Sequence, residues 1–298
     1  MANLKDIRTR IASVKSTQQV TSAMKMVSAA KLRKAQDAIH MMRPYAEKLN
    51  EILTTVSSNL DSSVENKYAF RKNKEKILIV AITSDRGLCG GFNSNVVKRT
   101  TELYFETYKE YSKNGRVDVI AIGKKGVDGL KSKGIKVIRS FLDIYEGLSF
   151  TNISEITQCF MEGYTMGIYD HIEVVYNQFK NAAVQNLVTE QFLPVITEPT
   201  EKVQPIKGEM LKNYIFEPSM QEIADIIIPQ SLRIQFYKAI LDSIASEHGA
   251  RMTAMHKATD NAGDLIKELN LAYNKARQAS ITKEILEIVS GAEALKNQ

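Results

Sequence analysis

The best candidate for chemistry in this chain is a glycine-rich turn that follows its first strand-like run. Residues 83–95 read TSDRGLCGGFNSN, and glycines after a strand can expose backbone N–H groups to a phosphate at a helix start. The turn matches neither G-x-x-x-x-G-K-[ST] nor G-x-G-x-x-G, and no lysine occupies the phosphate-contacting position. The sequence therefore favours a structural turn over a nucleotide site.

Individual side chains in this turn could likewise take part in chemistry or serve only the structure. Asp85 and Arg86 could form a general-acid pair, but a local ion pair is the commoner arrangement. Cys89 could be a reactive thiol, but a small buried residue under a tight turn is favoured. We expect a structural role for the whole set: Asp85, Arg86, Gly87, Cys89, Gly90 and Gly91.

The remaining reactive side chains form no recognisable catalytic pattern. The four histidines (His40, His171, His248 and His256) are scattered, and the last two are not spaced as a ligand pair on one helix face. There is no zinc motif, no G-x-S-x-G elbow and no paired-carboxylate signature. We expect no catalytic residue, no metal site and no cofactor in this chain.

The turn lies in a middle region where strand-like and helix-like segments alternate. Continuous apolar runs occupy residues 76–85, 117–123, 135–141 and 171–179, with helical patterns between them. Eleven of the 15 glycines lie between residues 87 and 167, so turns concentrate there. Apolar strands separated by helices indicate βαβ units around a mainly parallel sheet. The prediction is a Rossmann-like α/β domain over residues 76–195.

Long helical patterns flank this domain. Residues 1–43 contain no glycine or proline, and no proline follows Pro229. We expect an N-terminal helix over 1–60, a loop with a short strand over 196–218, and a C-terminal helix over 219–298. Ser219 and Glu222 are spaced as a capping box at the start of that helix, and Pro229 predicts a kink or a restart.

Apolar and small residues in the C-terminal segment are spaced alternately four and three apart, as in coiled coils, and the N-terminal segment has an apolar line interrupted by two polar residues. The N-terminal line is Leu4, Ile7, Ile11, Val14, Gln18, Thr21, Met24 and Val27. The C-terminal lines are Leu265, Leu269, Ala272, Ala276 and Ala279, then Ile281, Ile285, Ile288, Ala292 and Leu295. Such seams bury too little surface for two helices alone. We expect another protein to enclose the pair; the alternative is a helical bundle packed on its own sheet.

Charge is unevenly distributed. Residues 1–43 carry nine Lys/Arg and two Asp, a net charge of +7, so the remainder of the chain sums to −1. A basic end suits an acidic protein surface or a nucleic acid, unless it is a solvated helix face. No apolar run is long enough for a membrane span, the N-terminus lacks a secretory core, and two cysteines favour a reducing cytoplasm.

Three stretches of this chain resemble the gamma subunit of F-type ATP synthase. They are IRTRIASVKSTQQVTSAMKMVSAAKLRKAQ, TSDRGLCGGFNSN and YNKARQASITKEILEIVSGAEAL. The pattern I-T-x-E-x-x-E-x-x-x-G-A, residues 281–292, is similar to that family's C-terminal signature. The resemblance covers essentially the whole chain, with the motifs in the same order.

The resemblance implies a central rotor. In that family the terminal helices form an antiparallel coiled coil inside a hexamer of alpha and beta subunits. The α/β domain lies with the epsilon subunit and the membrane c-ring, and proton or sodium flow turns the shaft while catalysis stays on beta. No long redox insert and no transit peptide are present, which favours a bacterial chain at the cytoplasmic face of the plasma membrane.

The resemblance also assigns roles to positions. Contact with beta is implied for Met24, Lys31, Arg33, Lys34, Arg251, Gln278, Thr282, Glu284 and Glu287. Tyr214 and Glu217 resemble the ring-facing segment. Two other functions stay open on the residues alone. One is a coiled-coil adaptor that binds nucleic acid, although its basic helix lacks interleaved aromatics; the other is a phosphate-binding enzyme using the 83–95 turn.

Overall fold

A computed structural model describes residues 4–59, 67–68, 75–142, 144–145, 147–195 and 220–296. The chain divides into two compact units. The paired-helix unit comprises residues 1–29 and 251–298, and the sheet unit comprises residues 30–250. The helices are α1 (Leu4–Asn59), α2 (Phe92–Glu102), α3 (Lys109–Lys113), α4 (Lys124–Ser132), α5 (Phe150–Thr165) and α6 (Met220–Lys296). The strands are β1 (Ile77–Ile82), β2 (Val117–Ile122), β3 (Val137–Phe141), β4 (His171–Phe179) and β5 (Gln185–Leu193).

The sheet confirms the predicted α/β class. Its strand order is β3-β2-β1-β4-β5, and the first four strands are parallel. The fifth, β5, pairs antiparallel to β4 and was not expected. Its sequence, QNLVTEQFL, is mostly polar and is buried only at its end. That strand therefore lacks the continuous apolar run by which the other four were identified.

Strand β1 is the centre of the sheet unit, and all six of its residues are fully buried. Ile77, Ile79 and Ala81 face a cluster with α2 and α4. Leu78, Val80 and Ile82 face a second cluster with α5 and the first part of α6. Helices therefore cover both faces of the sheet, which is the middle layer of three. Fully burying one such large side chain contributes about 1.5–3 kcal/mol.

The helical segment after the glycine turn is not uniform, although the sequence predicted one helix there. A π-helical turn, Leu103–Thr107, separates α2 from α3. The Tyr108 N–H donates to the Leu103 carbonyl at 2.8 Å, five residues earlier. The wider turn rotates the following residues about the helix axis relative to a regular α-helix.

Both long helices run through a proline without interruption. Helix α1 includes Pro44 and helix α6 includes Pro229. The prediction at Pro229 was a kink or a restart, and the continuous helix rules out the restart. A proline inside a helix costs about 3 kcal/mol, but Ile228 and Leu232 on either side are buried in the sheet core, and their burial offsets that cost. The predicted loop at 196–218 and the capping residue Ser219 lie outside the described residues.

Candidate functional site: the paired helices and the glycine turn

The two chain ends pack side by side in opposite directions. In the paired-helix unit, the Thr259 hydroxyl donates to the Thr21 hydroxyl at 2.8 Å, and Lys25 Nζ lies 3.2 Å from His256 Nδ1. Residue numbers therefore increase along one helix as they decrease along the other, which makes the two helices antiparallel. Together with the sheet, this confirms both parts of the predicted fold, an antiparallel coiled coil and an α/β domain.

The first part of the N-terminal seam lies where its spacing predicted. Leu4, Ile7, Ile11, Val14, Gln18, Thr21 and Met24 are all partly buried. The last predicted member is wrong, because Val27 is 57% exposed while Ser28 is 3% exposed. The seam steps from Thr21 through Met24 and Lys25 to Ser28, which keeps the alternation of three and four residues. The prediction followed the apolar side chain rather than the spacing.

The C-terminal seam differs in a similar way. Leu265, Leu269 and Ala276 are covered as predicted, but Ala272 and Ala279 are exposed. Tyr273 and Ser280 are partly buried in their place. In the sequence, a line through Ala272 and Ala279 and a line through Tyr273 and Ser280 fit the spacing equally well. Side-chain size could not show which of these two lines faces α1.

Among the described residues, the second predicted line of the C-terminal helix is not a seam; its last member, Leu295, lies outside the residues whose side chains are described. Counting seventeen residues outward from the Thr21–Thr259 pair brings Leu4, the first residue of α1, opposite Ala276. No described residue of α1 therefore reaches the segment 281–289. Its large apolar side chains, here called the uncovered stripe, are 47–71% exposed: Ile281, Ile285, Leu286, Ile288 and Val289.

The positions assigned by resemblance have different surroundings. Lys31, Arg33 and Lys34 are exposed on α1, whereas Arg251 is 7% exposed. The far end of α6 carries a further exposed set: Gln278, Thr282, Glu284 and Glu287. There the Thr282 hydroxyl donates to the Gln278 carbonyl at 2.9 Å, and Lys283 pairs with Glu287 at 3.6 Å. Tyr214 and Glu217 lie outside the described residues.

In the sheet unit, the carboxamide of Asn93 fills the inside of the glycine turn. Its Oδ1 accepts the Ser84 N–H at 3.0 Å, and its Nδ2 donates to Ser84 Oγ at 2.8 Å and to Cys89 Sγ at 3.2 Å. Cys89 is 2% exposed, while Arg86 is exposed. The chain turns here with positive φ at Leu88 and Gly90. Sequence reasoning missed Asn93, although the residue stands inside the motif.

Backbone donors at the start of the neighbouring helix, α4, are used within the chain. At the start of α4, Lys124 N–H donates to Asp85 Oδ1 at 2.9 Å, and Gly126 N–H donates to Thr83 Oγ1 at 2.8 Å. The Lys125 N–H donates to the Ser84 carbonyl at 3.1 Å. The turn therefore binds its own chain, and its geometry offers no phosphate site at α4.

A glycine at the end of β2 is required by this packing. Gly123 has φ +90°, and a Cβ on it would collide with the Thr83 carbonyl. That same carbonyl accepts a hydrogen bond from the Tyr145 hydroxyl at 2.5 Å. Burial raises the pKa of Tyr145 well above its ordinary value. Both residues lie far from the turn in sequence, which gave no signal for them.

The positions and apolar character of the described residues bear on two properties, metal binding and membrane spanning. Among them, no group of three or more His, Cys, Asp or Glu side chains is placed to hold a metal ion. Within the same ranges, no helix combines the length and apolar character needed to cross a bilayer.

Comparison with known proteins gives one consistent result. The family model described as ATP synthase matches residues 3–295. The chain is 56% identical to an ATP synthase gamma chain of Flavobacterium psychrophilum, over 99% of this chain and 100% of that one. It is 51% identical to an ATP synthase gamma chain of Cytophaga hutchinsonii, over the full length of both.

Solved structures agree with this assignment. A chain of the Tetrahymena thermophila mitochondrial ATP synthase central stalk and c-ring matches with TM-score 0.57 and 25% identity, over 80% of this chain and 99% of that one. A chain of Euglena gracilis mitochondrial ATP synthase has the same fold with TM-score 0.67, over 98% and 94% of the two chains, at 22% identity. The chain therefore belongs to the gamma-chain family of ATP synthase.

Proposed function

We propose that this gamma chain is the central rotor shaft of an F-type ATP synthase. It couples ion-driven rotation of the membrane c-ring to conformational cycling of the catalytic sites on the beta subunits, and it is not itself catalytic. The observation that carries the proposal is the uncovered stripe at residues 281–289, which extends the C-terminal helix beyond the reach of its partner helix.

The uncovered stripe needs a partner from outside the chain. Five large apolar side chains within nine residues are 47–71% exposed. Leaving such surface in water forfeits about 25 cal/mol for every Å² that could be buried, and contiguous exposed apolar surface marks an interaction site. A sleeve formed by alternating alpha and beta subunits would cover this stripe on all sides, as the proposed shaft requires.

Charged positions complete the proposed interface with beta. Lys31, Arg33 and Lys34 form an exposed basic group on α1 that suits an acidic loop of beta. Contact higher on the shaft is proposed for Met24, Arg251, Gln278, Thr282, Glu284 and Glu287. Arg251 differs from the others because its own chain covers it, so its part would be to fix the local shape of the shaft.

The remaining contacts lie with the membrane part of the complex. We assign Tyr214 and Glu217 to the ring-facing segment, and we place the epsilon subunit and the c-ring beside the α/β domain. The chain then lies at the cytoplasmic face of a bacterial plasma membrane as a peripheral subunit, driven by protons or sodium ions. No nucleic acid and no cofactor takes part.

Rotation of the chain can be observed directly. Cys159 on α5 is exposed and Cys89 is buried, so a thiol-reactive probe attaches at Cys159 in a complex whose other subunits lack cysteine. The alpha–beta hexamer is fixed to a surface through tags on beta. We expect ATP to drive stepwise rotation of the probe in one direction, and the isolated chain to hydrolyse no ATP. Steady hydrolysis by the fixed complex with a stationary probe would refute the rotor function.

A further inference from the structure

Helices α3 and α4 end in two turns of the same design. In each, a serine in the last helical turn donates its hydroxyl to a carbonyl three residues earlier: Ser112 at 3.1 Å and Ser132 at 2.7 Å. In each, a glycine with positive φ then reverses the chain, Gly115 at +67° and Gly134 at +76°. The sequences SKNGRV and SKGIKV therefore turn alike into β2 and β3.

These twin turns lie side by side at the amino edge of the sheet. Strands β2 and β3 are adjacent and parallel, with Val119 opposite Val137. Neighbouring strands are about 4.8 Å apart, so the residues that enter them are neighbours too. The open space around both glycines shows that nothing in the described chain covers the turn tips.

Each turn places one cation before its glycine and one after it. Lys113 and Arg116 belong to the first turn, and Lys133 and Lys136 to the second; all four are exposed. None of them forms an ion pair with a carboxylate in the part of the chain that the structure describes. We call these four residues the amino-edge basic surface.

Two acidic side chains at the same edge are engaged elsewhere. Asp118 accepts from Lys76 and from the Tyr169 hydroxyl, each at 3.1 Å. Asp170 Oδ2 accepts the backbone N–H groups of Glu75 and Lys76 at 3.1 Å. The positive charge of the amino-edge basic surface is therefore not balanced by these two carboxylates.

Strand β3 adjoins this surface as an edge strand. Among the described strands it pairs only with β2. Ile138 on this strand is 44% exposed, and Leu142 just beyond it is 46% exposed. An extended polypeptide can add to such an edge through backbone hydrogen bonds and place its side chains beside the exposed apolar ones.

We propose that the amino-edge basic surface and the free edge of β3 together dock an extended acidic segment of a partner protein. A polypeptide suits this surface better than a bilayer does. The turn tips carry Asn114, Gly115 and Gly134, while Ile135 is 1% exposed, so the tips themselves present no apolar side chain for insertion into lipid. Only a polypeptide can use the backbone groups of β3. This interface is separate from the shaft and does not depend on rotation.

The test is photo-crosslinking within the complete complex, purified with its native lipids. A photoreactive amino acid replaces Asn114 at the exposed tip of the first turn, and a second preparation carries it at Thr151, an exposed position on α5. Crosslinked peptides and lipids are identified by mass spectrometry. We expect Asn114 to crosslink to a protein segment rich in Asp and Glu, and Thr151 to give no crosslink to that segment.

Charge variants test whether the crosslink from position 114 depends on the four cations. The variant K113Q/R116Q/K133Q/K136Q should lower the crosslink yield from position 114 by roughly tenfold at low ionic strength. It removes four exposed ion pairs with the partner, each of which contributes about a few tenths of a kcal/mol. A control with the same net change, K98Q/K124Q/K125Q/K180Q, should leave the yield unaltered. Should the quadruple variant fail to assemble, the double variant K113Q/K136Q gives the same comparison with a smaller decrease.

Other outcomes would overturn the proposal. A crosslink from position 114 to phospholipid alone would make the surface a membrane contact. A crosslink to a segment without acidic residues, or equal yields in the charge variant and its control, would show that charge does not select the partner. A yield no greater than that of Thr151 would show that the lysines merely keep a solvated edge strand from aggregating.

Discussion

The hydroxyl of Tyr108 donates a hydrogen bond of 2.6 Å to Oε1 of Glu173, joining the end of the π-helical turn to strand β4. His171 Nε2 lies 3.0 Å from the same oxygen and is almost completely buried. Burial, and then the hydrogen bond to Glu173, raises the pKa of Tyr108 far above its ordinary value. The π-helical turn therefore serves to bring a donor to a partly buried carboxylate.

Removing that donor should destabilise the sheet unit. In Tyr108→Phe the Glu173 carboxylate loses a short hydrogen bond while it remains partly buried, which we expect to cost about 1–3 kcal/mol. Thermal unfolding of the full chain measures the change. Tyr111→Phe is the matched control, since Tyr111 packs against Tyr108 at 6.3 Å between ring centroids but has no described hydrogen bond of its hydroxyl. Equal melting temperatures for the two variants would contradict a structural role of the bond.

Stability should rise when the solution is acidified through pH 6. Burial raises the pKa of Asp242 from 3.8 to about 6, with Glu190 adding to the shift and Lys238 and Arg43 opposing it. The folded state therefore binds a proton between about pH 4 and pH 6 that the unfolded state releases. The charged form is disfavoured above pH 6, and the penalty disappears as the pH falls towards 4.

The pH dependence can be measured by denaturant unfolding between pH 4.5 and 8. Asp242→Asn should be more stable than the unmodified chain at pH 8, and its stability should change less across this range. Asp264→Asn, an exposed side chain paired with Lys267, should leave the profile unaltered. A profile for Asp242→Asn that parallels the unmodified chain would assign the dependence to other groups.

Added volume inside the glycine turn should be costly only where the side chain is buried. Cys89→Phe overpacks a site beside Ser84 and Asn93, which typically costs about 1–3 kcal/mol. The substitution Arg86→Gln changes an exposed side chain and should stay within about 0.5 kcal/mol. Unfolding of the isolated chain gives both values. Unaltered unfolding of Cys89→Phe together with a large loss of activity in the complex would point to a direct functional role for the turn.

Charge reversal at the basic group of α1 should weaken coupling. The variant K31E/R33E/K34E replaces attraction to an acidic loop with repulsion, while the complex still assembles because no buried side chain is altered. ATP synthesis in reconstituted vesicles should fall by roughly tenfold at low ionic strength and by less at moderate salt. The control K98E/K124E/K125E carries the same charge change in the sheet unit. Normal synthesis by the first variant at both salt concentrations would identify this group as a solvated helix face.

Polar substitutions in the uncovered stripe should weaken assembly with the alpha–beta hexamer without lowering the stability of the isolated chain. Ile285→Asp and Ile288→Asp alter exposed side chains, so the isolated chain should unfold within about 0.5 kcal/mol of the unmodified one. Both should reduce binding to the alpha–beta hexamer, measured by size-exclusion chromatography. Leu269→Ala, in the covered seam, should instead destabilise the chain by about 2 kcal/mol or more. Full assembly of both aspartate variants would show that the stripe is not part of the interface.

The sequence predicted the parallel strands and both long helices because three local signals are strong: continuous apolar runs, the lack of glycine and proline over residues 1–43, and the lack of proline after Pro229. It failed where two choices had similar local patterns. The seam positions at Ser28 and Tyr273 depend on which residue faces the partner helix, and that register is set by contacts such as Thr21–Thr259. Strand β5 is mostly polar, and the continuity of α6 through Pro229 depends on a core that closes only after folding.

The Thr21–Thr259 contact joins residues 238 positions apart in the chain. During synthesis the N-terminal helix therefore leaves the ribosome long before its partner exists, and its partly buried seam is open to water for the whole of that interval. Contacts of such high sequence separation form late and slowly, and unpaired apolar surface invites aggregation meanwhile. Completion of the last helix is thus the step that covers the N-terminal seam and ends its exposure to water.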